Sequence, residues 1–284
     1  MAAPAVDVDE LRRWIGRTER VSDPLAPWPA AALAATLDRD DPPGAGDPLP
    51  AGWHWAYFLE AARAGALGRD GHPRRGGFLP PVPLPRRMWA GGRLGFEADL
   101  PLGAPAERVS EIVGVSAREG RTGPLVFVTV RHAISGARGV AVVEEHDIVY
   151  REDPRPGEAA PAPKAAPADA AWRREVRPDA VLLFRYSALT FNGHRIHYDR
   201  DYATRVEGYP GLVVHGPLMA TLLLDLLRRE NPGRRPARFE FRALSPVFDT
   251  APFAVCGRPE GDGAALWVSG PSGELAMTAR AEFA

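Results

Sequence analysis

A single cysteine, Cys256, stands in the chain, which excludes an intramolecular disulfide and a thiolate-bound metal cluster. No window approaches the roughly 18 apolar residues that a membrane-crossing helix requires. The N-terminal MAAPAVDVDELRR has acidic residues and no long apolar run, so neither a signal peptide nor a mitochondrial presequence is expected. Neither charge is in excess: 35 Lys and Arg stand against 36 Asp and Glu, leaving no global field to hold a nucleic acid or an anionic membrane. A soluble, cytoplasmic protein is expected, with no nucleic acid and no membrane as partner.

Proline and glycine, by contrast, are plentiful, at 30 and 29 residues, and they are unevenly spread. DPRPGEAAPAPKAAPADAA, residues 153–171, is nearly all Pro, Ala and charge, cannot bury apolar area and reads as a linker. It divides the chain into 1–152 and 172–284, each the size of an ordinary domain. In the first part, VDELRRWIGR and GWHWAYFLEAARAG place apolar residues at helical spacing and predict two short helices. GGFLPPVPLPRRMWAGG, residues 76–92, is too rich in Pro and Gly for regular structure and reads as an irregular connection or a gate. RLGFEADL, ERVSEIVGVSAR, PLVFVTVRHAIS and GVAVVEEHDIVY alternate and are rich in β-branched residues, predicting a four-stranded antiparallel meander.

The second part repeats that order. AVLLFRYSAL reads as a strand, and HGPLMATLLLDLLRREN as a helix with no polar face, which must be enclosed by other structure. Four strands follow in RPARFEFRAL, DTAPFAVCGR, ALWVSGP and ELAMTARAEF. A curved antiparallel sheet wrapped around a helix, met twice in outline, predicts an α+β, pseudo-duplicated protein.

Between these elements lie FNGHRIHYD, Phe191 to Asp199, and VVHGPL, Val213 to Leu218. His194 and His197 stand at i and i+3, but no acidic or Cys ligand completes an HExxH-type pattern, so neither a metal nor another cofactor is expected. Asp199, ahead of RDYA, suits a helix cap better than a catalyst. The segments LTFNGHRIHYDRDYA, GYPGLVVHGPLMATLLLDLL and SPVFDTAPFAV resemble the MaoC-like dehydratases and hydratases, double hot dog enzymes acting on acyl thioesters. PLPRRMWAGGRLGFEADLPLG, Pro83 to Gly103, resembles their N-terminal half, so the likeness covers most of the chain outside the linker. The form TFNxHRIHYD is similar to a subgroup containing 3-methylfumaryl-CoA (mesaconyl-CoA) hydratases and hydroxyacyl-thioester dehydratases. The resemblance implies that His197 is catalytic and that the backbone N–H of Gly216 is the oxyanion donor. It also implies an Asp five residues before His197, where this chain has Asn192.

The residues fit that chemistry. Adding water to an enoyl thioester builds negative charge on the carbonyl oxygen, and a helix N-terminus starting at Gly216 and Pro217 offers unpaired N–H groups to it. A side chain titrating near neutrality must move a proton, and His197 is the candidate. Asn192 can orient a water but exchanges no proton at neutral pH. His194, Arg195 and His215 are candidates for substrate contact, His194 through ordered water and His215 beside the helix start. Arg86, Arg87 and Arg93 are candidates to meet a CoA phosphate or a substrate carboxylate, set against a plain solvated surface. His54, His72 and His132 sit in no comparable motif, so the first half is expected to cover the site and bind the acyl chain.

The reading is therefore a hydratase or dehydratase of enoyl thioesters, with 3-methylfumaryl-CoA as its sharpest form. The alternatives are a (3R)-hydroxyacyl-thioester dehydratase of fatty-acid or polyketide metabolism, a non-catalytic acyl-thioester binding protein, and a thioesterase, since fold does not fix function. The partner is an acyl-CoA or acyl carrier protein thioester, and a homodimer is compatible with the sequence.

Overall fold

Ten strands, all paired antiparallel, form one sheet in this computed structural model, which describes residues 6–120, 123–153 and 162–284. The first half contributes α1 (Val8–Arg12), β1 (Thr18–Asp23), α2 (Pro27–Thr36), β2 (Arg86–Phe96), β3 (Ala106–Gly120), β4 (Gly123–Gly136) and β5 (Gly139–Arg151). The second contributes β6 (Trp172–Val176), α3 (Ala180–Leu189), α4 (Gly216–Glu230), β7 (Pro236–Ala243), β8 (Phe253–Glu260), β9 (Gly263–Ser269) and β10 (Leu275–Phe283). Each half has the same strand order, first, third, fourth, fifth, second, and the two sheets meet edge to edge where β2 pairs with β7. The repeated outline expected from sequence is thus realised as a pseudo-two-fold arrangement. Its helices differ, since the first half has the ten-residue α2 where the second has both α3 and the fifteen-residue α4.

Buried from Leu218 to Leu227, α4 packs against β6, β8, β9, β10 and β2, which explains a helix with no solvent face. Its one buried acid, Asp225, is held by Arg39, Arg174 and Arg229 at 2.7, 2.8 and 2.7 Å, so a charge that would be costly alone is paired across both halves. The main apolar cluster draws on α2, α3, α4 and the strands of both halves, while a second cluster lies over β3, β4 and β5. Among the described residues no helix is long and apolar enough to cross a membrane.

Four expectations are corrected. AVLLFRYSAL forms α3 rather than a strand: Asp179 caps it by accepting from the Leu182 N–H at 2.8 Å, and Leu183, Tyr186 and Ser187 share its buried face. A short, nearly continuous apolar run does not distinguish the two structures. GWHWAYFLEAARAG yields only 3₁₀ turns, Trp53–Ala56 and Ala64–Ala66, with Gly52 and Phe58 in left-handed conformations bounding the first. The supposedly irregular stretch before Gly92 holds the first residues of β2, from Arg86, while its proline-rich part is a strap that buries Val82 and Leu84 in the second cluster. In the linker, 154–161 lie outside the described residues, but the part after them docks on the second half, with Ala166 N–H donating to Gly273 and Leu275 N–H to Lys164.

Candidate active site

The motif loop begins where α3 ends. Phe191 adopts a left-handed φ of 47°, Phe191 N–H donates to the Ala188 carbonyl (3.3 Å), and Asn192 N–H donates to the Ser187 carbonyl (2.8 Å). This is a Schellman-type cap with an aromatic residue where glycine is usual, and it turns Asn192 toward a cavity. The Asn192 Oδ1 accepts from the His194 N–H at 2.9 Å, which leaves the Nδ2 donor for the cavity. A first-half loop, residues 68–72, pins the motif from outside. Asp70 accepts from the Arg195 N–H at 2.9 Å, and Gly71, at φ 88°, lies so close to Gly193 that any side chain there would strike its carbonyl.

A 3₁₀ turn, Arg195–His197, then buries His197, whose Nδ1–H donates to the Val213 carbonyl at 2.7 Å. That bond fixes the tautomer and leaves Nε2 with a free lone pair. Burial lowers the His197 imidazole to about 4, opposed by the Val213 hydrogen bond and reinforced by the charge of His72, so the ring is neutral at pH 7 and ready to accept a proton. It stacks on His215 at 3.6 Å. His215, with Nε2 2.8 Å from Ser187 Oγ, is held well below the ordinary imidazole range by burial and by its neighbours His197 and His194. His194 falls to about 2 through burial and the charges of His72 and His197. Gly216 follows His215 as the first residue of α4, where helix geometry leaves its N–H without an intrahelical acceptor.

The cavity measures about 760 Å³ and is walled by both halves. Across from Asn192 and Pro217 the first half presents a polar row on an otherwise apolar sheet face, with Ser110, His132 and Glu144 directly opposite one another on β3, β4 and β5. His132 Nδ1 lies 2.9 Å from Ser110 Oγ, and its Nε2 lies 3.3 Å from His146 Nδ1. His146 Nε2 lies 2.6 Å from one oxygen of Glu144, which also accepts from Trp55 Nε1 at 2.8 Å, and His54 Nε2 lies 2.9 Å from the other. Burial would raise the Glu144 carboxyl, but the rings of His146 and His54 hold it well below the usual carboxylate range.

The structure thus brings His194, His197, His215, Asn192 and Gly216 together; of these five Asn192 lines the cavity itself, and His197 and His215 are buried next to it. Arg87 stands near enough for its charge to depress His72 and His194. Arg86 and Arg93 lie outside the cavity wall: Arg86 ties Asp153, Glu207 and Tyr209, and Arg93 pairs with Glu145 and Asp147. Arg195 holds Asp199 at 2.7 Å over the Tyr202 ring, while Asp199 caps the next turn by accepting from the Tyr202 N–H. The acid missing beside His194 in the sequence motif comes from afar: Asp70 bonds His72 at 3.0 Å, and His72 packs on His194 at 4.1 Å between ring centres.

The first half, expected to cover the site and bind the acyl chain, also places His54, His72, His132, His146 and Glu144 in the cavity lining. Their sequence signal was faint but physical: His132 and Glu144 occupy the inward phase of alternating strands, where Val130, Ile134 and Val142 are apolar.

The sequence profile described as Hydroxyacyl-thioester dehydratase type 2 matches residues 52–249. Over 274 residues, 95% of this chain and 96% of the relative, the chain is 50% identical to the Mesaconyl-C(4)-CoA hydratase of Chloroflexus aurantiacus. In fold it is similar to HtdX of Mycobacterium tuberculosis, with a TM-score of 0.68 at 18% identity over 94% of this chain and 100% of that one. A second Mycobacterium tuberculosis protein, which has a double hotdog fold, aligns with a TM-score of 0.56 at 14% identity over 95% and 96% of the two chains. With its motif loop, buried helix and twin sheets, the chain belongs to the hydroxyacyl-thioester dehydratase type 2 family and has the α+β double hot dog fold.

Proposed function

We propose that this protein reversibly adds water across the 2,3 double bond of an enoyl-CoA thioester, with mesaconyl-C4-CoA as the acyl group. The observation that carries the reaction class is a neutral imidazole with a free Nε2, at His197, stacked on the residue preceding the N–H of Gly216 at the start of α4. In hydration, His197 Nε2 takes a proton from water as the oxygen bonds to the β-carbon, while the charge gathering on the thioester oxygen is received by the Gly216 N–H. The Nδ2 of Asn192 orients the water. No covalent intermediate is needed.

The acyl group follows from the cavity and from the 50% identity to a hydratase named for that substrate. Arg108 lines the cavity; its NH2 donates to Glu60 at 2.7 Å, and its buried Nε has no partner among the described residues. A free carboxylate on a short acyl group suits that donor, whereas a long alkyl chain would press on the polar row of Ser110, His132 and Glu144. Arg108 thereby replaces Arg86 and Arg93 as the preferred carboxylate partner.

The test follows absorbance of the conjugated thioester with mesaconyl-C4-CoA, crotonyl-CoA and a long-chain 2-enoyl-CoA, with free thiol measured separately. Loss of conjugation without thiol release, greatest for mesaconyl-C4-CoA, is expected. Direct thiol release would make the protein a thioesterase, and no change of either kind would make it a binding protein. Arg108→Met should lower kcat/KM on the dicarboxylic thioester by about 10-fold or more, the value of a charged hydrogen bond, and leave crotonyl-CoA nearly unaffected. Equal losses on both would remove the carboxylate role.

A further inference from the structure

We infer that the first half supplies the second proton-transferring group of this site, the imidazole of His146 seated on Glu144. The inference rests on the hydration reading and answers a question which that reading leaves open. One proton leaves water and another must reach the α-carbon. On the motif wall, Asn192 exchanges no proton, and His72, His194, His197 and His215 are all pushed by burial toward the neutral form. That wall is rich in acceptors and poor in acids. The opposite wall of the same cavity carries a carboxylate bonded to imidazoles.

The geometry singles out His146 within that set. Its side chain keeps 20% of its surface accessible, against 4% for His54 and 2% for Glu144, so of these three cavity-lining groups it is the most accessible. Its Nε2 lies 2.6 Å from a Glu144 oxygen without the alignment of a hydrogen bond, so the carboxylate acts on the ring as a nearby charge that balances the one it acquires on protonation. Its Nδ1 faces His132 Nε2 at 3.3 Å, the longest link in the row, and this is the nitrogen whose proton is given up. With Nδ1 protonated, His132 accepts at Nε2 and donates from Nδ1 to Ser110 Oγ, so donors and acceptors are consistent from His146 Nδ1 to Ser110.

Placement agrees. The Trp89 ring packs against His146, tilted by 37° with centres 3.9 Å apart, and the carbonyl oxygen of Trp89 lies 3.7 Å from where a side chain on Gly216 would begin. One residue therefore separates the acid from the oxyanion donor. The charged and titratable groups around the row are Glu144 on β5, His132 on β4, Arg108 on β3 and His54 on its 3₁₀ turn, and the charge of Glu144 also reaches Tyr186 on α3. Such a row is a poor device for stability. An apolar replacement of similar volume commonly holds a core as well as a buried ion pair does, and perturbed carboxylates in a cavity mark working sites.

The water oxygen bonds to the β-carbon and one of its protons passes to His197 Nε2, while the π pair moves to the α-carbon and the thioester oxygen. The α-carbon then bonds the proton held by His146 Nδ1, and the N–H electron pair stays on nitrogen. Water has been added; His197 has gained a proton and His146 has lost one, and exchange with solvent restores both.

The experiment compares full-length wild type, His146→Gln, Glu144→Gln and His197→Gln for kcat, KM and the pH dependence of hydration of mesaconyl-C4-CoA. Hydration needs His197 neutral, so the wild-type profile should fall at low pH through His197. His146→Gln should lower kcat by about 100-fold or more with KM little changed and the acid fall kept, whereas His197→Gln should remove that fall together with the rate. Glu144→Gln, which takes away the anion beside the ring, should likewise lower kcat more than it changes KM. A His146→Gln enzyme that keeps kcat within a few-fold would overturn the inference. If Glu144→Gln does not fold, the His146 variant decides alone, because a partly accessible ring can be exchanged for an amide of similar reach. Failure of the wild type to hydrate any enoyl-CoA would instead remove the functional reading beneath it.

Discussion

At the scale of single residues, His197 is defined by two contacts, a carbonyl at Nδ1 and a second imidazole against its face. Both were out of reach of the sequence, although the residue was not. FNGHRIHYD is contiguous, so its chemistry could be read locally, whereas Glu144 and His146 are ordinary-looking members of strand β5 that acquire meaning only from what β4 and the Trp53–Ala56 turn place beside them. A related limit holds for the arginines: nothing in PLPRRMWAGG reveals that Arg86 and Arg93 sit outside the cavity lining while Arg108, itself paired with Glu60, lies within it. The buried environment of His197 gives a prediction with a definite sign. On the proposed mechanism its base form is the active one, and burial lowers its titration to about 4, so kcat/KM for hydration should hold steady as pH falls past the ordinary imidazole range near 6.5 and decline only around 4. His197→Gln should abolish most of the rate at every pH. An acid fall centred near 6.5 would mean that the working base is not this buried ring. Asn192→Asp keeps an oxygen for the His194 N–H and adds an ionisable group facing the cavity, so it should fold normally and add a second acidic component to the profile.

At the scale of elements, alternation was a reliable guide to the long strands β3, β4 and β5, because one face of each is buried and the other is not. The five- and six-residue β6 and β1 escaped notice, having too few residues for a period to emerge, and α3 was mistaken for a strand because its apolar run fits either repeat. The least legible element is the loop of residues 68–72, which has no pattern and yet positions the motif by touching it backbone to backbone. Gly71 is required there twice over, by its φ of 88° and by its contact with the Gly193 carbonyl. Gly71→Ala should therefore push the two loops apart and disturb Asp70, His72 and His194, while the sheet and α4 stay intact. The expected outcome is a loss of kcat/KM of about 100-fold, as a displacement of about 1 Å at a site can cause, with a melting temperature near that of wild type. Unchanged kinetics would show that the first-half loop does not hold the motif in place.

At the scale of the whole molecule, the two halves are joined by more than a seam. Pairing of β2 with β7 makes one sheet of two, α4 lies against strands of both, and Asp225 on α4 takes Arg39 from the first half together with Arg174 and Arg229 from the second. The cavity follows the same rule, since the motif wall, the Asp70 and His72 loop and the Glu144 row come from both sides. A fragment of residues 172–284 would keep the motif and α4 but leave β7 as an open edge, uncover the apolar faces that met α2 and β2, and deprive buried Asp225 of one of its three cations. Open edges beside apolar surface pair with whatever strand is available, most readily with a second copy of the same edge. The fragment should thus elute from size-exclusion chromatography as dimers or larger aggregates. It should hydrate no enoyl-CoA, because a re-formed β7 to β7 seam would supply a second motif wall where Glu144 and His146 belong. A dimeric fragment with full activity would place all the chemistry in the second half and reduce the first to a cover, whereas a monomeric, active one would remove the two-walled site altogether.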